Sequence, residues 1–310
     1  MKVLFVDNVH PHLWRGLTKI GCECVEGYDL PKEQIQQIIA DFHGIIIRSR
    51  FKIDSTFLDA CNNLKFIARS GSGLENIDVQ YAELNGIKCF NAAEGNAQAV
   101  AEHALGMLLS LFNNLNKADA EVRSEIWKRE ENRGYELSGK TIGIIGYGNN
   151  GSAFAKVLQG FDCNVLAYDK YLESFNTSYA EQVEIQEIFH RADVLSLHIP
   201  LTEETKFLFN DDYLDNFNKP IYLINTSRGK CVDTKSILNG LKNEKIYGAC
   251  LDVFDFENTS FEQTEKTVSF KKLIKSEKVI LSPHIAGWTY ESYEKLSKIL
   301  LNKINIFLNQ

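Results

Sequence analysis

Residues 141–151 read T-I-G-I-I-G-Y-G-N-N-G, an apolar run that ends in G-x-G-x-x-G. A helical segment with Phe154, Val157 and Leu158 follows, and then a second apolar run, Asn164–Tyr168, closed by Asp169. Each glycine has a physical task in such a unit. Gly146 allows the tight turn, Gly148 lets backbone approach a pyrophosphate, and Gly151 lets the helix pack close to its strand. The start of that helix, through Asn149 and Asn150, offers unpaired N–H groups and the positive end of a dipole to phosphates. Asp169 stands 23 residues after Gly146, where a carboxylate can accept from both adenosine ribose hydroxyls and repel a 2′-phosphate. The stretch therefore predicts a dinucleotide site with NAD preferred to NADP.

The rest of the chain repeats the same grammar. At 310 residues the prior is two domains of about 150 residues each. Strand-length apolar runs at Val3–Asp7, Cys22–Glu26, Gly44–Arg48, Lys65–Arg69 and Ile87–Asn91 alternate with helical segments. A second series runs through Thr141–Gly146, Asn164–Asp169, Asp193–Ile199, Ile221–Asn225, Gly248–Val253 and Val279–Ser282. Runs apolar on both faces and joined by helices are the mark of parallel sheets covered on both sides. The fold class is α/β, with two doubly wound parallel-sheet domains. Residues 97–117 read as one long helix continuing in a more polar style to Arg129, and Asn258–Lys278 as a surface excursion with some helix. Leu296, Leu300, Ile304 and Leu308 form a one-sided stripe on an amphipathic closing helix, Glu291–Leu308.

Charge and cysteine usage narrow the partners. With 34 basic and 41 acidic residues the net charge is −7, which disfavours nucleic acid, whose phosphates need a clustered basic surface. No apolar run approaches the roughly 18 residues that span a bilayer, and the first strand's run is too short for a signal peptide. Seven cysteines without any C-x-x-C pair read as reduced thiols, so a cytoplasmic location is expected. His10 and His12 have no grouping at metal-ligand spacing, and no metal site is expected.

Three later strand ends carry acid–base chemistry. The run Ile221–Asn225 leads into Thr226-Ser227-Arg228, Gly248–Val253 leads to Glu257, and Val279–Ser282 leads to Pro283-His284. A guanidinium is costly in a core but suits the carboxyl edge of an open α/β sheet, where ligands bind. Arg228 can hold a carboxylate bidentately and polarise the neighbouring oxygen. His284 can take a hydroxyl proton as hydride leaves for nicotinamide, while Glu257 orients the imidazole and favours its protonated form. The combination predicts oxidation of a 2-hydroxy acid.

With these residues in place, the chain resembles the D-isomer-specific 2-hydroxyacid dehydrogenases, and phosphoglycerate dehydrogenases in particular. The matching stretches are ARSGSGLENID at 68–78, NAAEGNAQAVAEHALG at 91–106, GKTIGIIGYGNNG at 139–151, ADVLSLHIPLTEET at 192–205, NTSRGKCVD at 225–233, GACLDVFDFE at 248–257 and PHIAGWT at 283–289. The resemblance implies that Arg228, Glu257 and His284 form the catalytic trio. It implies cofactor contacts at Tyr147, His198, Pro200, Thr205, Thr226, Ser227 and Gly287, and places Asp252 against the nicotinamide carboxamide. It also implies that backbone around Ser72 and Gly73 holds the substrate carboxylate. The implied architecture is a Rossmann-type NAD domain over 98–287 and a flavodoxin-like substrate domain split between 1–97 and 288–310. Homodimerisation is the family's habit, through the helical 97–129 region.

Arg48, Arg69, Arg129 and Asn96 match substrate positions of the phosphoglycerate members, and Arg228 would contact substrate as well. A dianionic phosphate calls for about two or three cations, so the resemblance favours oxidation of D-3-phosphoglycerate, the opening step of serine synthesis. The alternatives are reduction of glyoxylate, hydroxypyruvate or another 2-keto acid, and an NAD-sensing binding protein on the same scaffold. Three departures matter. Glu130 and Glu131 stand where basic residues are common. Asn149 and Asn150 replace a basic–apolar pair in the glycine loop, so weaker NAD binding is expected. Only 26 residues follow His284, so the C-terminal regulatory domain of longer members is not expected.

Overall fold

Runs of apolar residues without polar alternation become strands buried on both faces. In the computed structural model, which describes residues 1–175, 177–257 and 267–310, Gly44–Ile47, Phe66–Arg69 and Val194–Leu197 are buried at every position. The chain divides into two units, one of Met1–Asn96 with Trp288–Gln310, the other of Ala97–Glu257 with residues up to Gly287. Ala97 falls in the second unit because it opens the helix Ala97–Phe112.

The first unit has five strands: β1 (Lys2–Phe5), β2 (Glu23–Glu26), β3 (Gly44–Ile47), β4 (Phe66–Arg69) and β5 (Lys88–Phe90). All pair in parallel, in the order β2-β1-β3-β4-β5. The closing helix, Tyr290–Leu308, completes this unit. Its first turn is fixed by reciprocal bonds: Ser292 N–H donates to Thr289 Oγ1 and Thr289 N–H to Ser292 Oγ, both at 3.0 Å. Leu296, Leu300 and Ile304 are buried against Val3, Phe5, Leu13 and Leu17, while Leu308 is only partly covered. Each fully buried leucine stabilises the docking by about 1.5–3 kcal/mol, which brings the end of the chain back to the sheet where it began.

The second unit has seven strands: β6 (Thr141–Ile145), β7 (Asn164–Tyr168), β8 (Glu181–Gln182), β9 (Val194–Leu197), β10 (Ile221–Asn225), β11 (Ile246–Leu251) and β12 (Val279–Leu281). All pairs are parallel, in the order β12-β11-β10-β9-β6-β7-β8. Helix Ala97–Phe112 lays Ala101, Ala104, Leu108 and Phe112 on the same core as Ile142, Ile144 and Phe154. Two expectations need correction. The long helix breaks at Asn114, which adopts a left-handed φ of 51°, and resumes as Leu115–Arg123. Asparagine visits that region more readily than most residues because its amide can bond locally. Strand β8 was not foreseen, since two exposed polar residues at a sheet edge carry no apolar period. Of the expected excursion Asn258–Lys278, residues 258–266 lie outside the described residues, and the short helix Val268–Leu273 lies within it. Among the described residues no helix is long and apolar enough to cross a membrane.

His198, just past β9, ties the fold to pH. Its Nε2 lies 2.8 Å from Ser196 Oγ, while Nδ1 is buried without a hydrogen-bond partner among the described residues. Burial pushes the imidazole from 6.5 down to about 4. The unfolded chain therefore takes up a proton near pH 6.5 that the folded chain refuses until about pH 4. Stability is fully present above pH 6.5 and falls by up to ~3 kcal/mol between those values. Urea unfolding of the wild type and His198→Gln at pH 7 and pH 4.5 checks this: the wild type should lose more stability on acidification. An equal loss in both proteins defeats the assignment.

Candidate active site

The turn after β10 is built by one buried amide. Asn225, 1% exposed, accepts from Ser227 N–H at 3.1 Å and from Ser227 Oγ at 2.8 Å, and its Nδ2 donates to Arg228 O at 3.1 Å. The turn presents Arg228, whose Nη1 donates to Ser227 O at 2.7 Å. Gly229 comes next for a steric reason: a Cβ there would lie 1.9 Å from Phe254 O. The loops following β10 and β11 thus touch backbone to backbone, which only glycine permits. Beyond Phe254, Glu257 folds back so that Phe254 N–H donates to its Oε1, while Oε2 lies 2.8 Å from His284 Nδ1. Glu257 is 9% exposed and His284 25%. Nδ1 is committed to the carboxylate, so proton exchange with a bound hydroxyl falls to Nε2.

His284 itself has a left-handed φ of 56°. Such a conformation costs a non-glycine residue about 1–3 kcal/mol and persists only where surrounding bonds over-determine it. Asp252 supplies them. His284 N–H donates to Asp252 O at 2.8 Å, Ile285 N–H to Oδ1 at 2.9 Å, and Ala286 N–H to Oδ2 at 2.8 Å. Ser282 Oγ donates to Oδ1 at 2.5 Å, and with that proton committed, His103 Nε2–H donates to Ser282 Oγ at 2.9 Å. The Asp252 carboxylate, 1% exposed, thus shapes the loop that carries the imidazole. Asn225, Ser282 and His103 escaped the sequence reading: the Asn225 amide bonds within its own turn, while the partners of Ser282 and His103 lie far away in the chain.

The expected cofactor residues collect on the carboxyl edge of the same sheet. Gly146, Tyr147, Gly148, Asn149, Asn150 and Gly151 follow β6, and Asp169 follows β7. His198, Pro200 and Thr205 follow β9, Thr226 and Ser227 follow β10, Asp252 follows β11, and Gly287 lies beyond β12. Gly146 has a φ of 89°, and a Cβ there would lie 2.5 Å from His198 O; one on Gly151 would lie 2.0 Å from Gly146 O. A Cβ on Gly148 would meet nothing within 4 Å, so its face is open where the helix Asn149–Val157 begins. Asp169 accepts from Tyr147 N–H at 2.7 Å through Oδ2, and from Tyr171 N–H and Leu172 N–H through Oδ1 at 2.9 and 3.2 Å. Thr226 Oγ1, Asn150 Oδ1 and His198 Nδ1 are buried without partners among the described residues. Buried polar atoms of this kind call for a ligand or water, and the open glycine loop and the acidic strand end fit a dinucleotide.

The first unit carries its own polar edge. Ser72 Oγ donates to Asn96 Oδ1 at 2.6 Å, and Asn91 Nδ2 donates to Ser72 O at 2.6 Å, which braces the loop after β4. Arg69, 8% exposed, donates through Nε to Arg48 O at 3.0 Å and through Nη1 to Gly73 O at 2.9 Å. It braces the Ser72–Gly73 loop. Arg48 sets its guanidinium 4.1 Å from the centre of the Trp288 ring, a residue the sequence reading had not singled out. Arg129 belongs to the second unit, on an exposed turn.

A family model described as D-isomer specific 2-hydroxyacid dehydrogenase, NAD binding domain, matches residues 105–286. The chain is 34% identical over 275 residues to the hydroxypyruvate reductase of Thermotoga maritima, covering 89% of this chain and 88% of that protein. It is 31% identical over 309 residues to the D-3-phosphoglycerate dehydrogenase of Archaeoglobus fulgidus, covering 98% of this chain but 56% of that protein. Among solved structures, an acyclic imino acid reductase in complex with NADPH and D-Arg superimposes with a TM-score of 0.88 at 26% identity, covering 100% of this chain and 98% of that one. A D-lactate dehydrogenase from Aquifex aeolicus, complexed with NAD and lactic acid, gives 0.83 at 25% identity, covering 100% and 96%. With more than half of its length matched by the family model, and relatives of 31–34% identity along most of it, the chain belongs to the D-isomer-specific 2-hydroxyacid dehydrogenases, NAD-dependent oxidoreductases that act on CH–OH groups.

Proposed function

We propose that the chain interconverts a short D-2-hydroxy acid and its 2-keto acid through Arg228, Glu257 and His284. The observation that carries this is the 2.8 Å contact between His284 Nδ1 and Glu257 Oε2, on the same sheet edge as Arg228. In the oxidative direction His284 Nε2 accepts the hydroxyl proton, and in the reductive direction returns it to the nascent alkoxide. Glu257 holds the ring in one tautomer, and Asp252 holds the loop beneath it. Arg228 binds the carboxylate and polarises the neighbouring oxygen. The loop at Ser72 and Gly73, braced by Arg69 and Asn96, carries backbone N–H groups of the kind that bind a carboxylate. Hydride acceptance is the chemistry that NAD supplies, held by the residues after β6, β7, β9 and β10. The first unit is accordingly the substrate domain and the second the nucleotide domain. Leu115, Val122, Ile126 and Trp127, all more than 40% exposed, support a homodimer through that segment.

For substrate, the side chains favour an unphosphorylated acid of the hydroxypyruvate kind. A phosphate dianion calls for about two or three cations. Arg69 donates to two backbone carbonyls, Arg129 lies on an exposed turn, and Arg48 rests on an indole. The 3-phosphoglycerate reading keeps Arg48 as its support, a guanidinium at the carboxyl end of β3.

A panel of keto acids with NADH separates these readings. Hydroxypyruvate should exceed 3-phosphohydroxypyruvate in kcat/KM by at least tenfold, about 1.4 kcal/mol of transition-state preference; the reverse order restores the phosphorylated substrate. No turnover with any acid, despite NADH binding, points instead to a nucleotide-sensing protein. His284→Gln should lower kcat by about two to four orders of magnitude with NADH affinity intact. A variant that keeps wild-type turnover removes the imidazole from the mechanism.

A further inference from the structure

The turn after β7 holds charges that the reaction does not use. Lys170 directly follows Asp169, and its ammonium pairs with Glu204 Oε1. The next residue, Tyr171, donates from its hydroxyl to Glu204 Oε2 at 2.7 Å. Two adjacent side chains from one turn thus close on both oxygens of a single carboxylate on another. Both turns are braced by hydrogen bonds. Asp169 Oδ1 accepts from the Tyr171 and Leu172 amides, which fixes where Lys170 starts. Thr205 Oγ1 donates to Pro200 O at 2.6 Å and accepts from Thr202 N–H at 2.8 Å, which fixes where Glu204 stands.

Position gives this clasp its meaning. In dinucleotide folds the acid that ends the second strand meets the ribose 2′-hydroxyl, and a cation close by accommodates a 2′-phosphate. Asp169 supplies the first negative charge, yet a lysine in the next position would blunt it toward a phosphate dianion. Glu204 cancels that lysine and holds it away. We propose that Glu204 is a specificity-determining residue: by clasping Lys170 and Tyr171 it denies the adjacent cation to a 2′-phosphate and keeps the site selective for NAD over NADP. The proposal rests on the dinucleotide reading of the Asp169 edge. Lys170 and Glu204 keep 57% and 46% of their side chains exposed, and exposed pairs contribute little to stability. Removing the clasp should therefore leave the fold standing.

Calorimetric titration with NADH and NADPH, without substrate, tests this directly. Wild type should bind NADH more tightly. Glu204→Gln should move the ratio of the two dissociation constants toward NADPH by about tenfold, with the gain shrinking at high salt as screening grows. Glu204→Asp, which keeps the charge, should restore most of the wild-type ratio, and Lys170→Met combined with Glu204→Gln should abolish the gain. The proposal is overturned if Glu204→Gln changes both affinities in parallel, or if the double variant keeps the gain. If wild type binds neither nucleotide, the underlying dinucleotide reading fails, an outcome distinct from an unchanged ratio.

Discussion

A buried carboxylate holds the acid–base site together. Asp252 is almost inaccessible, and an ionised group in that position is tolerable only when its oxygens are met by donors. It meets the condition with donors from the segment that carries the imidazole: Ser282 Oγ, Ile285 N–H and Ala286 N–H. Satisfying the charge and shaping the loop are one event. The left-handed backbone of His284 follows from it, because with His284 N–H on Asp252 O there are four bonds to one residue, which leave the intervening turn little alternative. His103 extends the network from the helix Ala97–Phe112, so the loop is anchored to an element with no part in the chemistry.

Parallel strands explain why such distant residues meet. Every strand of the second unit points the same way, so every loop that follows a strand emerges on one edge. The glycine loop, Asp169, Arg228, Glu257 and His284 are gathered without any long-range sequence signal. What the sheet alone does not arrange is the fine register between neighbouring loops. Gly229 against Phe254 and Gly146 against His198 do that, where backbone approaches backbone too closely for a side chain. Charge follows the same geography. On the second unit's edge Asp169 is bonded to backbone amides and the neighbouring lysine is paired with Glu204, while on the first unit's edge a guanidinium lies over an indole.

Arg69 shows that residue type alone does not settle a residue's task. An arginine after an apolar run reads as a ligand for an anion, and the family resemblance places it among the substrate groups. In the folded unit its guanidinium donates to Arg48 O and Gly73 O, acting as a brace beneath the Ser72–Gly73 loop. Five donors in a rigid fork suit backbone carbonyls as well as carboxylates, and only the surrounding fold chooses between them. Trp288 is the opposite case. Nothing in its local sequence marks it, and it acquires interest solely because Arg48 lies across its face.

The strand series, the glycine loop and the closing helix were legible in the primary structure because each depends on periodicity or on residue types within a few positions. The stripe of Leu296, Leu300 and Ile304 announces a buried face whatever it packs against, and G-x-G-x-x-G followed by an acid states its own geometry. Strand β8, the break at Asn114 and the partners of Asp252, Arg69 and Glu204 were decided by tertiary structure. Most of their energetics come from groups distant in the chain, such as Asp252 and Ser282, 30 positions apart, or Lys170 and Glu204, 34 apart. A hydrogen bond depends on distance and direction in space, and those exist only once the sheets have formed.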